Sequence, residues 1–237
     1  MREHIWQTMM GLLLLVIVGA VSWEAGSLSA PVLGPAASKD QFLVAVDAGH
    51  GGRDPGKVGA EGQLEKDINL SIALKLREYL EAADVRVVLT RDSDAALYEE
   101  DDANKKAADM RKRCQLINEA KPDVTVSIHQ NSYHEEAVWG GQAFYYSGSA
   151  KGERLAQILQ RRFDYVMGEG NGRKAKANDN YYLLLHVKSP IVIVECGFLS
   201  NPQEARRLAD ETYQDRLAWT IHMGVMEFLN GEKEGGD

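Results

Sequence analysis

Cysteine is scarce. Only Cys114 and Cys196 occur in 237 residues, far apart and outside any CxxC pair, which excludes a disulfide-stapled scaffold, a zinc knuckle and a thioredoxin-like motif. Both read as small apolar packing residues. Positive charge is also short: 27 Lys plus Arg stand against 35 Asp plus Glu, a formal charge of -8. The long-range field therefore repels polyanions, and no nucleic-acid partner is expected. No HExxH helix marks a metallopeptidase, and no GxSxG elbow marks a serine hydrolase. Internal repeats and low-complexity stretches are absent. What remains, 44% hydrophobic and 26% charged, suits one globular domain with a sizeable core.

The N-terminus stands apart from that domain. No charged residue lies between Glu3 and Glu24, and the run Met9 to Val21 is apolar without a polar stripe. A segment of roughly 20 such residues can span hydrocarbon, and small residues at Ala20, Ser27 and Ser29 leave cleavage open. Residues 1–25 are therefore expected to be a signal peptide or an N-terminal membrane anchor. Residues 26–40, rich in Ser, Ala, Pro and Gly, follow as a linker, residues 41–230 as the folded domain, and residues 231–237 as a flexible tail.

Within the domain, short β-branched runs alternate with helical patterns. Phe42 to Val46, Val85 to Leu89, Val124 to Ile128, Ala143 to Tyr146 and Ile191 to Val194 read as strands, several apolar on both faces. Ile68, Ile72, Leu76 and Leu80 share one helical stripe, as do Ala107, Met110, Cys114 and Ile117, then Leu155, Ile158, Leu159 and Val166. Pro202 opens another helix, and Leu217, Ile221, Val225 and Phe228 mark the last. This alternation predicts a single α/β domain with a mostly parallel, mixed, twisted sheet of about six strands covered by helices on both faces.

Reactive groups cluster where strands end, the place where open α/β sheets bind ligands. The first strand delivers Asp47-Ala48-Gly49-His50-Gly51-Gly52, the third delivers His129-Gln130-Asn131, and the last delivers Glu195-Cys196-Gly197-Phe198. Glu65 opens the helix near Leu64; alone it would be a first-turn charge offsetting the helix dipole. With His50 and His129 it completes the two-histidine, one-carboxylate set of catalytic zinc sites; Asp67 ranks second. His186 is held in reserve near the cleft, while His4, His134 and His222 read as surface or packing residues. Asp47 is a candidate to orient an imidazole. The basic run Arg173-Lys174-Ala175-Lys176 either faces water or borders an anionic substrate, and the acidic loop from Asp92 to Asp102 reads as solvated.

Taken in order, Asp47 to Gly52, Glu65-Lys66, Thr90-Arg91, Ser127 to Asn131, Gly140-Gly141 and Val194 to Asn201 resemble the zinc-dependent N-acetylmuramoyl-L-alanine amidases of the amidase-3 type. The resemblance spans about residues 42 to 229. One departure is Ala48, where the family commonly has Pro; it changes turn rigidity and no ligand. Met110 to Arg113, Arg173 to Lys176 and Phe198 to Pro202 look most like the sporulation and germination enzymes that act on spore cortex.

The resemblance implies one Zn2+ held by His50, Glu65 and His129, with Glu195 as catalytic acid/base. Asp47, Asn131, Arg173 and His186 are then candidates to orient ligands or touch substrate. It implies hydrolysis of the amide between the lactyl group of N-acetylmuramic acid and L-alanine, on the way to muramic-δ-lactam. Peptidoglycan is the implied partner, with room for an accessory or activating protein. The implied location is outside the cytoplasm, secreted or anchored to the cytoplasmic membrane, with the forespore intermembrane space as one such place. A non-catalytic peptidoglycan-binding module and a zinc peptidase cutting within the stem peptide are the alternatives.

Overall fold

The computed structural model describes Trp6, residues 41–167 and residues 171–234. Trp6 apart, the expected membrane segment 1–25 and linker 26–40 lie outside the described residues. Among those described, no helix is long and apolar enough to cross a membrane.

A compact unit begins at Gln41. Its strands are β1 (Leu43–Ala48), β2 (Arg86–Leu89), β3 (Val124–Asn131), β4 (Gln142–Tyr145), β5 (Lys176–Ala177) and β6 (Ile191–Phe198). Its helices are α1 (Glu65–Ala82), α2 (Lys105–Ala120), α3 (Ala150–Met167), α4 (Tyr182–His186), α5 (Pro202–Leu208) and α6 (Glu211–Glu234). The sheet runs in the order β2-β1-β3-β6-β4-β5. The first four strands are parallel, and β4 is antiparallel to β6, so the sheet is mixed as expected.

Successive strand residues point to opposite faces, and that parity sorts the core into two clusters. Val44, Val46, Val124, Val126, Val192 and Val194 face α1, α3 and α6. Ala45, Ile191 and Ile193 face α2 and α4, against Cys114, Ile117, Leu183 and Leu184. Carrying the same parity past the apolar runs puts Asp47, Ser127, His129 and Glu195 on the α2/α4 face. Both cysteines are free and buried, one in each cluster.

Local signals account for the helix ends. In α1, Ile68, Ile72, Leu76 and Leu80 are buried at four-residue spacing. The Asn104 side chain caps α2 at the Ala107 N–H, and the helix stops at Lys121 in the left-handed region. Asn201 caps α5 at Gln203 and Glu204, with Pro202 in its first turn. Two elements differ from expectation. The edge strand β5 is only Lys176–Ala177, exposed and paired with β4, too short to leave a periodic signal. Helix α6 runs through Glu234, into the segment expected as a tail, and there Glu232 pairs with Lys151 and Arg154 of α3.

Candidate metal and active site

The β1–α1 connection is built around one histidine in an uncommon conformation. His50 has φ 63°, followed by Gly51 at 131° and Gly52 at 58°, so the chain turns back sharply after β1. Two buried arginines hold that turn. Arg113, 1% exposed, donates Nη1 to Asp47 Oδ1 and Ala48 O, both at 2.7 Å, Nη2 to His50 O, and Nε to Asp109 Oδ2 at 2.6 Å. Arg91 donates Nε to Ala48 O at 2.9 Å and Nη2 to Gly49 O at 3.0 Å and Lys66 O at 2.7 Å.

Glu65 is 2% exposed and does not cap its own helix. Its Oε2 accepts the Lys57 N–H at 2.8 Å, and Oε1 accepts the Gln130 N–H at 3.1 Å. The same Oε1 lies 3.0 Å from His129 Nδ1 and 3.2 Å from His50 Nε2. Burial raises the carboxyl's pKa, but the two imidazoles more than reverse this and hold it well below the usual carboxylate range. His129 is shifted up: burial disfavours its charge, and the hydrogen bond and charge of Glu65 outweigh that. The competitor Asp67 is exposed.

One ligand atom from each of His50, Glu65 and His129 lies within 4.8 Å of the others. Two imidazole nitrogens converging on an ionised, buried carboxylate oxygen form a donor set suited to a small divalent cation such as zinc. Space is reserved for the ligand side chains: a Cβ on Gly49 would stand 2.2 Å from His129 Cε1, and one on Gly56 would stand 2.5 Å from Glu65 Oε2.

Glu195 arrives from the neighbouring strand. Parallel register pairs His129 directly with Glu195. The carboxyl is 7% exposed, and its Oε2 has no hydrogen-bond partner among the described residues. Burial pushes its pKa up to about 7; the Glu65 charge adds to this, and the imidazoles oppose it. A cavity of about 340 Å3, lined by His50, Asp54, Lys106, Met110, His129 and Leu183 among others, adjoins a smaller one of about 160 Å3. The two share Met110, His129 and Leu183, and Glu195 lines the smaller.

The other candidates fall differently. Asp47 orients no imidazole: it accepts from Thr90 Oγ1, Ser127 Oγ and Arg113 Nη1 at 2.6 to 2.7 Å. Burial raises its pKa, but Arg113 and the two hydroxyls together bring it down to about 2. The orienting carboxylate is Asp54, whose Oδ2 lies 2.8 Å from His50 Nδ1, four residues on across the glycine turn. Sequence reading passed over it because only the turn closed by Gly51 and Asp54 brings it back. Asn131 accepts the Ser132 N–H beyond a register shift in β3 and lines neither cavity.

Arg173 donates to Trp139 O at 3.0 Å and lies over the Phe198 ring, 4.5 Å from its centroid. His186 is exposed, stacks on Tyr182 and is not among the three converging ligand residues. A buried carboxylate that sequence reading missed, Glu204, accepts the Gly140 and Phe198 N–H groups at 2.8 to 3.1 Å. It ties the β3–β4 connection to the end of β6.

A mixed α/β sheet carrying a candidate metal centre beside a buried glutamate has the make-up of an α/β enzyme. Comparison with known proteins narrows the class. The family model described as N-acetylmuramoyl-L-alanine amidase, of the amidase-3 type, matches residues 44–227. The germination-specific N-acetylmuramoyl-L-alanine amidase of Bacillus subtilis is 36% identical over 219 residues, covering 91% of this chain and 86% of that protein. The CwlD amidase from Clostridioides difficile, solved in complex with the GerS lipoprotein, aligns with a TM-score of 0.78 at 37% identity, covering 80% of this chain and 99% of that one. The catalytic domain of CwlV, an N-acetylmuramoyl-L-alanine amidase from Bacillus (Paenibacillus) polymyxa, aligns at 0.71 and 31% identity, covering 80% and 99%. The chain belongs to the amidase-3 family of N-acetylmuramoyl-L-alanine amidases and is a peptidoglycan amidase.

Proposed function

We propose that this amidase is zinc-dependent, with His50, Glu65 and His129 as ligands and Glu195 as the proton shuttle, and that it acts on spore-cortex peptidoglycan outside the cytoplasm. The observation that carries the chemistry is the convergence of three ligand atoms within 4.8 Å, beside an unpartnered buried carboxylate paired in register with His129. Zinc held there by His50, Glu65 and His129 would act as a Lewis acid toward the carbonyl and lower the pKa of bound water toward about 7.

The chain's own groups do the rest. The Glu195 carboxylate accepts a proton from the attacking water as the new C–O bond forms and the carbonyl pair moves onto oxygen. When that pair returns, the C–N bond breaks and Glu195 passes the proton to nitrogen, leaving the free amine of L-alanine and a lactyl carboxylic acid that then ionises to the carboxylate. A carboxyl poised near neutrality can take both roles, and a bound cation would draw its pKa lower. Asp54 holds His50 so that Nε2 faces Glu65, and the two buried arginines keep the turn in place.

The cortex role is supported by the likeness to the Bacillus subtilis germination-specific amidase. An accessory lipoprotein is part of the reading because CwlD was solved with one. Residues 1–25 then carry the chain across, or hold it at, the cytoplasmic membrane, with residues 26–40 as linker.

The test is digestion of purified cortex and vegetative peptidoglycan, with and without a chelator, followed by mass spectrometry. Free lactyl carboxylates on muramic acid, lost on chelation and enriched from cortex, are expected. Cuts inside the stem peptide would support a peptidase instead, and no cuts a binding module.

A further inference from the structure

The smaller cavity holds a second polar group that the proton-shuttle scheme leaves unused. Tyr181 lines it together with Glu195 and His129. The ring is held in place: it meets Phe144 edge-on at 5.6 Å between centroids, and the Tyr181 N–H donates to Asn178 Oδ1 at 3.1 Å. The half-buried hydroxyl has no hydrogen-bond partner among the described residues. Burial first, and then the charges of Glu195 and Glu65, raise the phenol's pKa, so the hydroxyl stays protonated.

Glu195, whose Oε2 has no hydrogen-bond partner among the described residues, and Tyr181 thus line one cavity of about 160 Å3 without bonding each other. A substrate group entering this cavity meets an acceptor in Glu195 and a donor in Tyr181. Tyr182, on the same cavity, is exposed and stacks on His186, and three other neighbouring donors are engaged. Arg113 and Arg91 bond backbone carbonyls and carboxylates, and the Ser127 hydroxyl is given to Asp47.

We propose that the Tyr181 hydroxyl is a catalytic hydrogen-bond donor to the scissile carbonyl oxygen, accommodating the negative charge that develops there as water adds. No proton leaves the phenol. Its hydrogen bond strengthens as the carbonyl pair moves onto oxygen and relaxes when that pair returns and the C–N bond breaks. A donor aimed at developing charge in a water-poor site acts on the transition state more than on the bound substrate. The inference rests on the amidase reading with Glu195 as shuttle.

The test compares wild type with Tyr181→Phe, which keeps the ring against Phe144 and removes one oxygen, on a purified muramoyl tripeptide. Expected are a kcat lower by about 100-fold, the size seen when one such donor is removed, with KM, zinc content and thermal unfolding midpoint unchanged. In a Glu195→Gln background, calorimetry should give the same affinity for intact muramoyl tripeptide with Tyr or Phe at 181, while a phosphinate analogue of the reacting centre should bind wild type far more tightly than Tyr181→Phe. An unchanged kcat in an active wild-type background overturns the inference, as does a raised KM at constant kcat. A folded, zinc-loaded wild type inert on muramoyl amides overturns the amidase reading itself, and the inference with it.

Discussion

Glu195→Gln separates what burial of this side chain costs from what its chemistry contributes. In the folded, metal-free chain the carboxyl is raised from its ordinary 4.5 to about 7, chiefly by burial; in the unfolded chain it ionises near the ordinary value. Between those two values the folded state keeps a proton that the unfolded state has released. Stability therefore falls as pH rises through that window, and above it wild type carries about 3 kcal/mol of unfavourable charge burial.

Gln removes that charge while keeping the shape. Urea unfolding of both metal-stripped proteins should thus show a stability gain for the variant below about 1 kcal/mol at pH 5, growing to about 3 kcal/mol at pH 8. Groups that titrate alike in both proteins cancel in the difference. Zinc should narrow the pH 8 gap, because a nearby cation compensates the carboxylate. Hydrolysis should fall by about 100- to 10,000-fold. An equal gap at the two pH values would refute the claim that a desolvated, unpaired carboxyl sits at this position, and near-normal turnover would refute its role.

The supporting residues give further expectations. Asp54→Asn, which removes the carboxylate 2.8 Å from His50 Nδ1, should weaken zinc binding about 10- to 100-fold in chelator competition; unchanged affinity would leave His50 oriented by something else. Arg113→Met strands the fully buried Asp47 without its cation and should cost about 3 to 5 kcal/mol in urea unfolding, with a loss under 1 kcal/mol counting against the clamp. Gly49→Ala puts a methyl within the space of the His129 ring. It should lose metal content, measured by mass spectrometry of the folded protein, more than stability.

How far each residue could be read from sequence follows from the range of the interactions that place it. Periodicity exposes elements whose buried stripe repeats, so α1, α2, α3 and the buried strands were readable, whereas the two-residue β5 and five-residue α4 are too short to show a period. His50, His129 and Glu195 stood out because each follows an apolar run at a strand end, and parity along each strand puts His129 and Glu195 on the same face once the register is known.

The amino-acid order alone therefore determined the α/β class, the strand ends that carry reactive groups and the family likeness, since all of these are properties of contiguous segments. Partner choice among carboxylates was decided only in three dimensions. Asp47 looked like the imidazole's neighbour but is claimed by Arg113, Thr90 and Ser127 from three other elements, and Asp54 takes the imidazole because a left-handed turn returns it to His50. The same holds for Glu204 and Tyr181, whose surroundings are assembled from segments far apart along the chain. Hydrogen-bond satisfaction and desolvation depend on every neighbour at once, and those neighbours exist only after the sheet has set its register.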